Sequence, residues 1–162
     1  MGVPNSSLDI KSMLEGRIMP TQIERLRKID NNTLVHLFDR ANGGIAETNT
    51  HFFEDEENVF LVSRTNGNLS GFLWGYVLQS PRSSFPRMFL YSIDVFDEFR
   101  RQGVASKLIE GLKRIAREHR CCEMFVPTQK SNGAAMGLYS KTKGRIENED
   151  DVVFKYDEDA LT

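Results

Sequence analysis

The sequence predicts a mixed α/β (α+β) domain, and three stretches carry that prediction. Val59–Ser63 and Leu69–Leu78 are apolar runs separated by Thr65-Asn66-Gly67-Asn68, a strong hairpin signal. Met88–Val95 is another apolar strand, joined by a charged loop to Val104–Glu118, where Leu108, Leu112 and Ile115 recur at helical spacing. Glu123–Val126, Ala134–Lys141 and Val152–Tyr156 then read as strand, short helix and strand, which makes the sheet a mixed one.

The elements before the hairpin read as helical. Residues 1–12 form a loose leader, and 13–162 a single domain. Thr21 is a fitting N-cap for Gln22, Ile23, Leu26 and Ile29, which have helical spacing. A second helical run spans Thr33–Arg40 and is ended by Asn42, Gly43 and Gly44. Residues 46–58 are polar and acidic, a loop with a short helix. Ser80–Pro86 holds two prolines and reads as a loop.

Bulk properties narrow the function. A chain of 162 residues suits one domain with a proper core, and 40% hydrophobic with 27% charged residues is ordinary for a globular protein. The net charge of -2 disfavours nucleic acid as a partner. No apolar run approaches the roughly 20 residues that span a bilayer, and Met1–Leu8 lacks the pattern of a secretory signal. Cys121 and Cys122 are adjacent, with no further cysteine to form a disulfide framework or a zinc set. No metal is expected, and a reducing cytoplasm is the expected location.

The chemistry concentrates where the strand Tyr91-Ser92-Ile93-Asp94-Val95-Phe96 runs into Arg100-Arg101-Gln102-Gly103-Val104-Ala105. The first turn of a helix leaves backbone N–H groups unpaired, and with the helix dipole they attract an anion. Gly103 and Ala105 are small residues at that helix start, and Arg100 and Arg101 add positive charge. A pyrophosphate fits such a place. In isolation the same residues fit a tight helix start with solvated arginines; the strand-loop-helix context favours the ligand.

Arg100-x-x-Gly103-x-Ala105, preceded by Ile93-x-Val95, resembles the acetyl-CoA pyrophosphate loop of the GNAT superfamily. Asn132-x-x-Ala135-x-x-Leu138-Tyr139 resembles a second signature of that superfamily, at the matching distance. The resemblance covers roughly residues 59–156. It implies a mixed, mainly antiparallel, splayed sheet of about six to seven strands flanked by helices. It also implies acetyl-CoA as cosubstrate, held by Ile93, Asp94, Val95, Arg100, Arg101, Gln102, Gly103, Val104, Ala105, Ser106, Asn132, Ala135 and Tyr139. In the superfamily the strands corresponding to those around Ile93 and Glu123 diverge, leaving a gap for pantetheine. The tyrosine matching Tyr139 lies near the thioester sulfur, where a hydroxyl can donate to the departing thiolate. Tyr139 also fits a half-buried helix tyrosine, and Asn132 a simple N-cap.

Within the superfamily the chain resembles bacterial aminoglycoside 3-N-acetyltransferases. The likeness lies in 99–109, in Gly137-Leu138-Tyr139-Ser140-Lys141 and in Val152-Val153-Phe154-Lys155-Tyr156-Asp157. That group has Tyr-Asp in the motif strand where this chain has Tyr91-Ser92, so the nearest acid is Asp94. The acceptor amine must lose a proton before it attacks, and Asp94 is the candidate base. Glu147, Glu149, Asp150 and Asp151, and the run 54–57, are other acids that read first as solvated surface. A small amine or an aminoglycoside is the expected partner, a protein or peptide amine or a polyamine the alternative, and a non-catalytic CoA-binding module a third reading.

His36, His51 and His119 have no ligand or nucleophile beside them in sequence, so structural roles are expected. Cys121 and Cys122 read as small buried residues at a strand start, in preference to ping-pong nucleophiles. Phe72, Trp74 and Tyr76 alternate at strand spacing, core first and substrate platform second. An apolar edge strand at Val152–Tyr156 would need cover, so a homodimer is expected.

Overall fold

The computed structural model describes residues 20–41, 43–44 and 47–161. The expected leader at 1–12 lies outside them, as does Asn42. The described chain falls into two compact units, one up to Pro127 and one from Thr128.

The first unit is one five-stranded sheet in the order β1-β2-β3-β4-β5, formed by Thr21–Leu26, Asn58–Thr65, Asn68–Ser80, Ser83–Val95 and Glu123–Phe125. The first four strands are a consecutive antiparallel meander, and β5 joins β4 in parallel. Helix α1 (Asn31–Arg40) follows β1, and helix α2 (Val104–Glu118) crosses from β4 to β5. The mixed, mainly antiparallel sheet is as expected; five strands stand where six to seven were.

Thr21–Leu26 corrects the expected helix. Ile23, Leu26 and Ile29 recur every third residue, but Thr21, Ile23 and Arg25 alternate with the exposed Gln22 and Glu24, the period of a half-buried strand. Pairing with β2 decides between the two periods: Ile23 lies opposite Ser63 and Arg25 opposite Leu61. Asp30 is the true N-cap nearby. Its carboxylate accepts from the Thr33 N–H at 2.9 Å and the Thr33 hydroxyl at 2.7 Å, which lowers its pKa.

The hairpin between β2 and β3 forms where expected, with Asn66 at φ 52° and Gly67 at φ 81°. The expected loop at Ser80–Pro86 is instead a tight turn at Pro81-Arg82 followed by strand. Both prolines fit because Pro81 is in the turn and Pro86 lies in the irregular register between Leu78 and Ser80, where no ladder donor is needed.

The sheet's two faces differ. Ile23 and Leu61 meet Gly111 of α2, so Leu61, Leu73 and their neighbours face that helix. Phe60, Val62 and Phe72 form the core beneath α1, with Leu34, Leu37 and Phe53.

The second unit holds helix α3 (Gly133–Lys141) and a C-terminal segment. Val152–Tyr156 corrects the expected last strand: it forms none, and Val153 and Phe154 are each 80% exposed. Strand-forming side chains need a neighbouring strand to complete the ladder, and no described residue pairs with these.

Candidate active site

The geometry turns on β4. Trp74 lies opposite Ser92 but Gly75 opposite Leu90, so Tyr91 is an extra residue and β4 carries a bulge there. The bulge turns Tyr91 toward the face of Trp74 and Tyr76, whose rings lie 5.5 and 5.9 Å from its own. On its other edge β4 pairs with β5 only at Arg87, Met88 and Phe89. From Leu90 to Val95 that edge has no strand partner among the described residues. The sheet is splayed at this point, and its backbone can take an extended ligand as another strand.

The chain from Phe96 to Gly103 then leads into α2. Phe96 is buried, and its N–H donates to the Ser70 carbonyl at 3.0 Å. The Arg40 guanidinium stands 4.0 Å over the Phe96 ring and is paired with Glu98, which ties the loop to α1. Arg100 is tied down as well: Nε donates to the Val95 carbonyl at 3.1 Å and Nη2 meets Asp97 at 2.9 Å. Gln102 donates to the Glu98 carbonyl at 2.8 Å. Arg100 and Gln102 therefore shape the loop, and Arg101 is an exposed cation in it.

Arg101 (φ 60°) and Gly103 (φ 81°) are both left-handed. Successive amides in such a conformation converge into an anion-binding concavity, and Val104, Ala105 and Ser106 follow as the first turn of α2. Gly103 at the N-cap offers no side chain to cap them. A Cβ there would meet nothing within 4 Å, so the φ angle, and no protein crowding, is what calls for glycine.

Asp94 lies opposite Phe72, and Ser92 opposite Trp74, so both side chains belong to the aromatic face of the sheet while Ile93 belongs to the α2 face. Burial pushes the Asp94 carboxyl above its ordinary pKa; a hydrogen bond from the Ser92 hydroxyl at 3.2 Å and the charge of Arg100 oppose this only in part. A half-buried carboxylate of raised pKa is a stronger proton acceptor than an exposed one.

In the second unit, Asn132 caps α3 by accepting from the Ala135 N–H at 3.1 Å. Tyr139 is half-buried, and burial raises its hydroxyl pKa, so it is a proton donor at neutral pH. The Tyr139 carbonyl accepts from the Gly144 N–H at 2.8 Å and the Thr142 hydroxyl at 3.1 Å, closing the end of α3.

A splayed sheet whose crossover helix starts in a turn of converging amides suits an extended, anionic ligand, and a sequence model of the acetyltransferase (GNAT) family matches residues 23–144. The chain belongs to the acetyltransferase (GNAT) family. Among solved structures, this GNAT chain is similar to an aminoglycoside acetyltransferase from an uncultured soil metagenomic sample, in complex with trehalose. The two are 25% identical over 84% of this chain and 94% of that one, with a TM-score of 0.70. It is also similar to a ribosomal-protein-alanine N-acetyltransferase from Brucella melitensis biovar Abortus 2308: 21% identity, 84% and 99% coverage, TM-score 0.68. A third is AAC(6')-Iy with the bisubstrate analogue CoA-S-monomethyl-acetylneamine: 19% identity, 86% and 99% coverage, TM-score 0.67. The last two likenesses are of fold alone. No curated protein matches the sequence significantly.

Of the residues expected in the site of this acetyltransferase, Ile93 to Ser106 come together at one end of β4 and the start of α2. Asn132, Ala135 and Tyr139 gather on α3. The other acids are surface groups: Glu54 meets His51 at 3.1 Å, and Glu149 meets Lys130 at 3.9 Å. Cys121 and Cys122 are unpaired but not buried as expected, being half-exposed and exposed. Arg120, just after α2, has φ 55°. Partial burial raises the Cys121 pKa, against the thiolate a nucleophile needs. Among the described residues no His, Cys, Asp and Glu cluster could hold a metal. Sequence reasoning missed the bulge at Tyr91 and the tie from Arg40 to Glu98. The bulge shows only in the pairing of β3 with β4, which no single stretch of sequence displays.

Proposed function

We propose that this GNAT acetyltransferase moves an acetyl group from acetyl-CoA to a primary amine of a small molecule, by direct attack of the amine in a ternary complex. The observation that carries the proposal is the junction of β4 and α2, where an unpaired strand edge leads straight to a left-handed turn and an open helix start. In this reading the backbone of Ile93, Asp94 and Val95 pairs with the pantetheine arm. The amides of Gly103, Val104, Ala105 and Ser106 take the pyrophosphate, with Arg101 adding charge and Arg100 and Gln102 holding the loop's shape. Asn132 and Ala135, which match the family's second signature, are read as cofactor-binding by that resemblance.

Acetyl-CoA supplies the activated acyl group and a thiol to leave. Asp94 accepts one proton from the incoming ammonium and the freed amine attacks the thioester carbon; as the C–S bond breaks, Tyr139 protonates the sulfur, and the second proton the nitrogen sheds restores the Tyr139 hydroxyl. Aminoglycosides, at the 3-N position among others, are the first amines to test, because an aminoglycoside acetyltransferase is 25% identical to this chain. The same reading includes a homodimer covering the apolar Val152–Tyr156 segment, and a cytoplasmic setting that keeps Cys121 and Cys122 reduced. Light scattering would give twice the 18.5 kDa chain mass for the dimer, and a single chain mass would remove it from the proposal.

The test is thiol release from acetyl-CoA with a panel of aminoglycosides, spermidine, aryl- and alkylamines and a peptide, with products read by mass spectrometry. Amine-dependent release with N-acetylated product is expected. CoA binding without any amine-dependent release would mean a binding module.

A further inference from the structure

A cleft of about 190 Å³ opens on the aromatic face of the sheet. Phe38, Phe52, Phe60 and Trp74 supply most of its wall, and Glu47 and Asn49 its polar side. The rings are set face to face and edge to face. Phe60 and Trp74 are stacked within 8° at 6.3 Å, and Phe38 meets Trp74 edge-on at 5.4 Å. The stack continues beyond the cleft from Trp74 to Tyr91, which is 58% exposed.

One wall of the cleft, Trp74, lies on the strand beside that of the proposed base. Trp74 lies opposite Ser92, and Asp94 is the next residue of β4 on the same face. Neighbouring strands are about 4.8 Å apart and two strand residues span about 6.7 Å, so a short alkyl arm bridges the rings and the carboxylate. Two features set the kind of molecule that fits. The volume is below the roughly 300–1,000 Å³ of a site for a drug-sized ligand, enough for one flat ring and not for several linked sugars. Among the described residues Glu47 is the one charged group in the lining, so several cations entering together would find most of their charge unmatched against apolar rings. A single ammonium carried past the exposed Tyr91 ring is favoured by its π face.

We propose that the acceptor is a monoamine with one flat, apolar, aryl-type body on a short arm, seated among Phe38, Phe52 and Trp74 with its nitrogen toward Asp94. The proposal rests on the acetyl-transfer reading for its chemistry, but its docking half can be read separately, because Trp74 is the chain's single tryptophan. Phenylethylamine, spermidine and an aminoglycoside are compared in two assays on the intact protein with acetyl-CoA or CoA.

In the first, kcat/KM for phenylethylamine is expected at least tenfold above the other two. Phe52→Leu, which keeps an apolar side chain and removes the ring, should raise KM for phenylethylamine several-fold with kcat and the acetyl-CoA KM little changed. In the second, phenylethylamine should change Trp74 fluorescence saturably and spermidine should not. Saturable fluorescence change without turnover of any amine would sink the transfer reading and leave the docking site standing. Preferred turnover of spermidine or the aminoglycoside, equal turnover of all three, or no saturable response of Trp74 to phenylethylamine would overturn the docking site.

Discussion

Against α2 the sheet presents aliphatic side chains, and against α1 it presents rings. On the first face Leu61 and Leu73 are fully buried, as are Leu108 and Leu112 of the helix. On the second Phe60, Phe72 and Trp74 lie nearly parallel, and the row runs out into a cleft and an exposed Tyr91. Branched aliphatic chains interdigitate and close a surface, whereas stacked rings leave flat walls that a ligand can join. One face holds the fold together and carries the helix whose first turn is proposed to meet the cofactor; the other holds the cleft proposed for the amine.

The largest expected effect breaks the first face. Leu108→Ala should cost about 2–5 kcal/mol of unfolding free energy, read by thermal or denaturant melts. Tyr91→Ala on the other face should cost no more than about 1.5 kcal/mol, because it loses a ring stack at a site already open to water. Equal losses would mean that the two faces are not different in kind.

Asp94→Asn sharpens the comparison, since it touches function without packing. The rate should fall by about 10²–10⁴. The Asp94 pKa is raised in the folded protein, so the carboxylate's burial disfavours folding: the penalty grows from the ordinary carboxylate pKa up to the folded one and is full above it. Asparagine removes that penalty, and the melting temperature near neutral pH should hold or rise as activity falls. In the wild type kcat/KM should decline as pH drops through a pKa above the ordinary carboxylate range, and this limb should vanish in the variant. A limb that survives would assign the base elsewhere.

Tyr139→Phe should lower the rate about ten- to a thousandfold with CoA affinity unchanged, since only the hydroxyl is lost. A matching loss of CoA affinity would show a binding role, and full activity would assign the proton to another group. Smallest of all, Glu98→Gln loosens an exposed tie to Arg40 and should change stability by no more than about 1 kcal/mol. A modest rise in the KM for acetyl-CoA should accompany it, because the loop between them is held by that pair.

The parts of this account that lie in local sequence were legible beforehand. Arg100-x-x-Gly103-x-Ala105 locates the turn because a left-handed N-cap needs glycine at one position, and Val104–Glu118 carries an unbroken 3.6 period. Asn132 caps α3 through its own neighbours. What escaped depends on pairing between distant residues. Thr21–Leu26 becomes a strand because β2 offers Ser63 and Leu61 opposite Ile23 and Arg25, and Val152–Tyr156 stays unpaired because no described strand meets it. Phe38, Phe52, Phe60 and Trp74 come from four separate elements, so no window of sequence shows them as one wall.

The central claim is that the left-handed turn before α2 holds acetyl-CoA, and calorimetry of CoA binding to wild type and to Gly103→Val tests it most directly. Gly103 has φ 81° and open space at its Cβ, so valine strains the turn and places a branched side chain beside the converging amides, at a cost to the fold of about 1–2 kcal/mol. With circular dichroism showing the variant folded, CoA affinity should drop at least tenfold from a micromolar wild-type value. Unchanged affinity in a folded Gly103→Val protein would contradict the account.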